Sequence, residues 1–507
     1  MKRTILLITL LLLALSGFTQ VNGSLTTVEG KTILKVWGTH SQRGFAHGYL
    51  LAHPMLDIFN GYILPIVAMN NSTVYNQLLN FYLASFNVET KYVQEAQGMV
   101  SGMAASGADM SMTALQRDVM AEDILLANCI VDLIYYRNLL TGNELGMLGC
   151  ASLSSWGAAT QADSLLNGHA VISRLMDWSQ IDALIANPVL VVSIPAEADE
   201  QPWVSFTYPG LIGALSAISA SGKAAFLNMG NVHSYTNTTN LHPILLSVRN
   251  AIEADDYNLD GVDNRGDILA AILDGIALDG TIIHALSENP TPLTGIIETN
   301  NSGTVMRTEG INSGLPGEHL AATNHFRLLA SPVCCSRYSR IIDSLNVSTA
   351  VTAKRQMTIL MGAAGQDNNM MTIQYTPYTG IIRWANATFT APAWQNELTS
   401  FSLADLVNPA NPTADDTHAS QPAEVQVFPN PLRQGGHLTL VWKNTTLHRA
   451  EVYNLKGQLI QSVLPQDGRI AWNGRDRQGR AITSGVYLLK VTNREGRTGT
   501  AKLLYLP

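Results

Sequence analysis

Charge is scarce in this chain. Of its 507 residues only 14% are charged, while 46% are hydrophobic, a balance that excludes an unfolded, self-repelling chain. The basic sign is the scarcer one: net charge is −8, which leaves no electrostatic footprint for nucleic acid. Cysteine is scarcer still, and four cysteines are too few for a disulfide scaffold in a chain of this length. Also missing is an apolar run of the roughly 20 residues needed to span a bilayer. The one candidate, Ile5 to Ala14, follows Met1-Lys2-Arg3 and precedes small residues near Val21-Asn22-Gly23. That pattern reads as a secretory signal peptide over residues 1–23. The chain is therefore expected to be exported, with no membrane span after leader removal.

What is present divides the chain. A length of 507 residues exceeds one ordinary core, so two or three domains are expected. Residues 24–149 read as a mostly helical segment. Its clearest helix is placed at Ser111–Tyr136, where Met112, Leu115, Val119, Leu126, Ile130 and Leu133 recur at helical spacing. Cys129 falls on that apolar pattern and reads as core. From Cys150 the period changes to two: Cys150, Ser152 and Ser154 alternate with Ala151, Leu153 and Ser155. Asn167-Gly168 is a turn signal, and His169–Trp178 reads as a returning strand. Arg174 and Asp177 have opposite parity there, so both reach one point only where the strand bends or ends. Further strands are expected at Pro188–Ile194, Trp203–Tyr208 and Ala224–Asn228. The expected domains are thus 150–400, a linker at 401–424 containing Asn408-Pro409-Ala410-Asn411-Pro412, and a strand-rich segment 425–507.

Cys150 follows Gly149. Cleavage between them would put a free α-amine, of unperturbed pKa about 8, on the residue that carries the sulfur. One residue would then supply nucleophile and general base. The competing reading is a buried small hydrophobe, as most free cysteines are. The neighbours decide between these. Gly149-Cys150-Ala151-Ser152 with Arg174-Leu175-Met176-Asp177-Trp178 resembles the N-terminal nucleophile (Ntn) hydrolases of the penicillin acyltransferase family. More distantly it resembles the choloylglycine hydrolase and acid ceramidase families. Leu227-Asn228, Thr323-Asn324-His325-Phe326, Ser336-Arg337-Tyr338-Ser339-Arg340 and the early Arg43-Gly44 with Gly48 extend the likeness over about residues 30 to 390.

The resemblance implies an α+β chain with a four-layer αββα Ntn-hydrolase domain and a helical N-terminal segment. It implies that Cys150 attacks an N-acyl amide, that Arg174 holds the thiolate or substrate carbonyl, and that Asp177 orients the α-amine. Asn228 and Asn324 would donate to the oxyanion, and Arg337, ahead of Arg340, would complete the site. No organic cofactor is implied.

Asp256-Tyr257-Asn258-Leu259-Asp260-Gly261 continues to Asp267, which sets Asp256, Asn258, Asp260 and Asp267 at loop positions one, three, five and twelve, with glycine at six. That spacing suits a structural calcium ion between two helices; an acidic turn without metal is the alternative. Cys334-Cys335 has no metal-site spacing, and a disulfide from Cys129 to either is left open. In the last segment, Phe428-Pro429-Asn430-Pro431, Tyr453-Asn454-Leu455-Lys456-Gly457 and Trp472-Asn473-Gly474-Arg475-Asp476 resemble sorting domains of type IX secretion. They also resemble the immunoglobulin-like domain of flagellar hook-capping proteins. An immunoglobulin-like β-sandwich that engages the secretion machinery is expected. The rival for the whole chain is a non-catalytic, calcium-dependent surface binding protein that uses this sandwich.

Overall fold

The computed structural model describes residues 21–145, 149–288, 291–311, 314–409 and most of 425–506. Residues 1–20 of the expected leader, residues 146–148 with Leu148, and the stretch 410–424 lie outside these residues. The chain divides into two units, up to Thr413 and from Ala414.

Unit one is a mixed α/β structure built on two sheets. The strands of the larger sheet are β1 (Gly23–Val28), β2 (Lys31–Gly38), β7 (Val189–Pro195), β8 (Trp203–Thr207), β9 (Ser216–Ser219), β10 (Ala224–Met229), β11 (Thr281–Ser287), β12 (Leu293–Asn300) and β13 (Gly303–Arg307), in that order across the sheet. All neighbours are antiparallel except β2 and β7, which run parallel. The smaller sheet has the order β14 (His319–Ala322), β5 (Cys150–Ser155), β6 (Val171–Asp177), β15 (Asn369–Thr376), β16 (Ile381–Asn386), β17 (Thr399–Ser402). Gly23, expected at the end of the leader, instead opens β1 and pairs with Val36.

Strand parity sorts the side chains of the smaller sheet. Ala151, Leu153 and Leu175 face a core shared with helices Ser336–Val347 and Ala353–Ala364. Cys150, Ile172 and Met176 join the core on the opposite side, shared with the larger sheet. Helices Ile244–Glu253 and Arg265–Asp274 pack against β9 to β13 of the larger sheet.

The helices α1 (His40–Leu50) and α2 (Thr90–Ser106) pack unusually closely. A Cβ on Gly44 would lie 2.0 Å from Glu95 O, and one on Gly48 would lie 1.9 Å from Met99 O. Only glycine permits that approach.

The single helix expected at Ser111–Tyr136 is not one helix. Ser111–Met112 and Arg117–Asp118 form a small hairpin, β3 and β4, with Gln116 at φ 54°. Two helices follow, α3 (Ala121–Asn128) and α4 (Ile130–Thr141), bent by 87° at Cys129. Asn128 fixes the bend. Its Nδ2 donates to Ile124 O and Gly210 O, and its Oδ1 accepts from the amides of Ile212 and Gly213. Helical spacing alone carries no sign of such a break, because both halves keep apolar residues buried.

The expected linker start at 401 is also too early. Phe401 and Ser402 pair with Ile382 and Ile381 in β17, and a helix follows at Leu403–Val407.

Unit two has two sheets, β18 (Val425–Phe428), β20 (Leu438–Trp442), β23 (Ile470–Trp472), and β19 (Leu432–Arg433), β25 (Thr498–Leu506), β24 (Gly485–Asn493), β21 (Leu447–Asn454), β22 (Leu459–Val463). They share one core, to which Leu440, Trp472, Leu489 and Leu503 belong.

Candidate active site

Cys150 begins β5, directly opposite Met176 of β6, and is buried at 2% exposure. Ser152 stands opposite Arg174, so the arginine points into the space between the sheets on the same face as the sulfur. Arg174 Nη2 lies 3.8 Å from Cys150 Sγ. Nη1 donates to Leu215 O at 3.0 Å and to Ser216 Oγ, and Nη2 also to Leu227 O, while Nε is buried without a hydrogen-bond partner among the described residues. Burial lowers the Arg174 pKa, against the pull of Cys150 and Asp177. A planar fork of donors suits this set of acceptors in a way a lysine would not.

Asp177 reaches the same neighbourhood by the strand ending. The β6–β15 register shifts between Asn369 and Met371, so that Asn369 stands opposite Asp177. Asn369 Nδ2 donates to Asp177 Oδ1 at 2.9 Å. The Asp177 amide donates to Gly149 O, also at 2.9 Å. Oδ2 is buried and has no hydrogen-bond partner among the described residues. Burial pushes the Asp177 carboxyl up to about 6, against the Asn369 hydrogen bond and the charges of Arg337 and Arg174. A Cβ on Gly149 would fall 2.7 Å from Asp177 Oδ2 and 3.2 Å from Arg337 Nη1. Glycine therefore precedes Cys150 for a steric reason.

Asn324 takes the α-nitrogen. Its Oδ1 accepts from Cys150 N at 2.9 Å and from Arg337 Nη2 at 2.6 Å, and those two donors set the amide's orientation. Arg337 Nη1 donates to Cys150 O at 3.0 Å and lies 3.9 Å from Asp177. Arg340 is elsewhere, donating to Ala363 O. The expected oxyanion donors are occupied in the continuous chain. Asn324 Nδ2 donates to Met229 O at 2.8 Å, and Asn228 Nδ2 faces Ser152 Oγ and Thr323 O at 3.4 Å each. Asn228 is fully buried between the sheets.

Sequence reading missed two parts of this neighbourhood. Asn369 is far from Asp177 in sequence and meets it only through the register shift. The other is a chain of polar groups running inward from Asn228. Ser152 Oγ contacts His284 Nδ1 at 2.8 Å, and His284 Nε2 contacts Ser154 Oγ at 2.8 Å. Burial lowers the His284 pKa to about 3, so this ring is neutral.

Two cavities are lined by neighbours of the cysteine, one by Met176 and the other by Asn324 and Arg337. The first, of about 50 Å³, is walled by apolar side chains that include Phe59, Ile63, Met176, Trp178 and Leu215. The second, of about 290 Å³, is bordered by Asn324, Arg337, Tyr135, His233 and Asp279.

The loop 256–267 sits between two helices, as its spacing suggests, with Leu259 and Gly261 at φ 58° and 85°. Asp256 Oδ2 accepts from Gly261 N, and Asn258 Nδ2 donates to Asp260 Oδ2. Asp267 is buried and turned elsewhere. Its Oδ1 accepts from the amides of Tyr257 and Asn258, while Oδ2 accepts from Asn264 N and pairs with Lys223. Among the described residues the loop's carboxylates do not gather as one ligand set, so Asp267 does not fit the ligand expected of position twelve. All four cysteines are free.

Residues 426–505 match the family model described as a secretion system C-terminal sorting domain. That domain marks proteins exported by the type IX system to the cell surface or the medium. No curated protein sequence matches the chain. Among solved structures it is similar to a Caenorhabditis elegans N-acylethanolamine-hydrolyzing acid amidase ortholog, at 12% identity and a TM-score of 0.33, covering 45% of this chain and 93% of that one. It is similar also to the conjugated bile acid hydrolase of Clostridium perfringens, at 12% identity and 0.32, covering 50% and 94%. A third is penicillin V acylase from Agrobacterium tumefaciens, at 10% and 0.31, covering 47% and 83%. At such TM-scores these likenesses decide nothing about the site, whose reading rests on its own geometry.

Proposed function

We propose that the chain is an exported cysteine hydrolase or acyltransferase that acts on N-acyl amides after cleaving itself between Gly149 and Cys150. The observation that carries this reading is the set of contacts on one residue. Cys150 has its sulfur against a buried arginine, its nitrogen on Asn324 and its carbonyl on Arg337.

In the continuous chain the Cys150 sulfur adds to the Gly149 carbonyl carbon and the thiol proton passes to the departing nitrogen. The C–N bond breaks to leave a thioester, and water hydrolyses it to a Gly149 carboxylate and a free Cys150 amine. That amine then takes the thiol proton, Arg174 stabilises the thiolate, and the sulfur attacks the substrate's acyl carbon. The α-ammonium returns its proton to the leaving amine. Water or an acceptor amine, deprotonated by the α-amine, releases the acyl group from the thioester.

Asp177, whose Oδ2 lies beside Gly149 with no hydrogen bond, receives the new ammonium. Asn324 holds the α-nitrogen through Oδ1; it serves the oxyanion only if Nδ2 leaves Met229 O. The apolar cavity takes the acyl group. Calcium, if it binds at 256–267, has a structural role, and the tail is an immunoglobulin-like sandwich recognised by the secretion machinery.

Mass spectrometry with N-terminal sequencing tests the reading, together with thiol labelling and assays on N-acyl amides. Two chains, the second starting at Cys150 and hydrolysing amides, are expected. Protein that is active yet continuous across Gly149–Cys150 refutes the self-cleavage mechanism. An intact chain with no labelled Cys150 and no turnover points to the non-catalytic binding protein instead.

A further inference from the structure

We propose that His284 is a positioning residue that acts through Ser152 to keep Nδ2 of Asn228, and not Oδ1, turned towards the strand that carries Cys150. This rests on the amide chemistry proposed for Cys150, with Asn228 as one donor to the oxyanion.

Asn228 stands beside the reacting centre. The carbonyl of the preceding Leu227 accepts from Arg174 Nη2, the same nitrogen that lies 3.8 Å from Cys150 Sγ. The Asn228 carboxamide faces Ser152, on the same face of β5 as Cys150, and the carbonyl of Thr323, the residue before Asn324. Behind Ser152 lie His284, Ser154 and Thr294, and all of these side chains are buried. In such a setting each polar hydrogen needs an acceptor.

The two ends of this chain of groups are carbonyls, and they set its direction. Thr323 O can only accept, so the carboxamide atom 3.4 Å from it is Nδ2. The other Nδ2 hydrogen goes to Ser152 Oγ, also at 3.4 Å. Ser152 then gives its own hydrogen to His284 Nδ1 at 2.8 Å. The neutral imidazole carries its one hydrogen on Nε2 and donates it to Ser154 Oγ at 2.8 Å. Ser154 donates to Thr294 Oγ1 at 2.8 Å, and Thr294 ends the chain on Ala285 O at 3.4 Å. Every hydrogen is used, and Asn228 Oδ1 is left buried without a partner among the described residues.

The chemical consequence lies in Ser152. While His284 Nδ1 takes its hydrogen, Ser152 shows Asn228 only lone pairs, which attract Nδ2. Both contacts on Nδ2 are long, so an oxyanion can draw it away at little cost. Without an acceptor at position 284, Ser152 would turn its hydrogen to the carboxamide and favour Oδ1 there. A carboxamide oxygen repels the oxyanion that its nitrogen would stabilise.

Kinetics of the cleaved protein on one N-acyl amide, together with NMR of the imidazole nitrogens, test the assignment. His284→Leu is expected to lower kcat by about a hundredfold, the size of one lost oxyanion donor, with KM little changed. Adding Ser152→Ala removes the misdirected hydroxyl and should restore part of that loss, where a merely structural role predicts further damage. His284→Gln, whose carboxamide both accepts and donates, should stay near wild type. In an Asn228→Ala background, His284→Leu should cost nothing more. A His284→Leu enzyme with unimpaired kcat overturns the assignment. So does a glutamine variant no better than the leucine one, or a double variant that is worse. The NMR arm uses the wild-type chain with isotope-labelled histidine, the His284 ring being assigned by its proximity to the Thr294 methyl group. That ring should be neutral at pH 7 with its proton on Nε2; a proton on Nδ1, or a charged ring, rejects the relay. If the cleaved wild type turns over no amide, the proposed reaction falls, and the tautomer decides the relay by itself.

Discussion

Replacing Asp177 by asparagine in the uncleaved protein isolates the electrostatics of the cut site. The substitution is made on a Cys150→Ala background so that the chain stays continuous. In that state the carboxyl is buried and its pKa stands at about 6 against an ordinary 3.8. Each tenfold step in proton activity is worth about 1.4 kcal/mol, so holding Asp177 ionised at neutral pH costs the fold about 3 kcal/mol. The sign follows from proton binding. Below pH 3.8 folded and unfolded states both hold the proton and the cost is absent. Between 3.8 and about 6 only the folded state keeps it, so stability declines as pH rises, and above 6 the full cost persists. Asp177→Asn is therefore expected to match its parent near pH 3.5 and to exceed it by up to about 3 kcal/mol at pH 7, read from urea midpoints. Asparagine preserves an acceptor for Asn369 and breaks no hydrogen bond at Oδ2, whose only charged neighbour among the described residues, Arg337 Nη1, is 3.9 Å away. In cleaved protein the sign reverses, because the α-ammonium of Cys150 loses its counter-charge. An identical difference between variant and parent at pH 3.5 and pH 7 refutes the reasoning.

Arg174→Lys keeps a charge but cannot reach Leu215 O, Ser216 and Leu227 O together. It should lower the unfolding free energy, read from urea midpoints, by about 1–3 kcal/mol for each acceptor left bare, slow self-cleavage in a timed gel assay, and hydrolyse amides poorly once cut. Asn324→Ala frees the α-nitrogen and should cleave itself better than Cys150→Ala, which should not cleave at all. Steady-state kinetics on its cleaved fraction should still show turnover reduced at least tenfold; turnover equal to the parent's would remove Asn324 from the site. Deleting 425–507 should leave amidase activity in the purified protein and stop export from the native host, scored by fractionation. Calcium added to metal-stripped protein should raise the melting temperature if 256–267 binds it, an effect Asp260→Ala should reduce; no shift returns the loop to an acidic turn.

Much of the site was legible because it obeys short-range rules. The two-residue period from Cys150 puts the sulfur and Arg174 on one face, and the order of Asn324 and Arg337 along the chain is the order in which they meet Cys150. Asp177 had the wrong parity for that face, and the sequence could not show that a shifted register beside Asn369 ends the strand there. The bend at Cys129 was hidden for a similar reason, since a buried Asn128 bonded to the loop at Gly210–Gly213 looks like any polar residue on a helix. Least visible was a buried charge network. His40 contacts Glu95 and Glu200, Arg43 contacts Glu197 and Glu200, and Arg249 contacts Glu95 and Glu253. Burial alone would lower the His40 pKa, but the hydrogen bonds to Glu200 and Glu95 outweigh it and raise it. Most of these partners are more than 50 residues apart, and nothing local marks them as neighbours.

The larger sheet takes β1 and β2 from before Gly149 and every other strand from after it. β2 is joined to β7 along Thr32 to Gly38, the network just described ties α1 and α2 to Glu197, Glu200 and Arg249, and Lys91 of α2 adds a contact to Glu253. Cutting the chain at Gly149 would turn these contacts into a subunit interface. Folding would then be a property of the precursor alone. A cleaved molecule that once unfolded would have to find its other half by collision, so its lifetime would be set by its unfolding rate and not by an equilibrium.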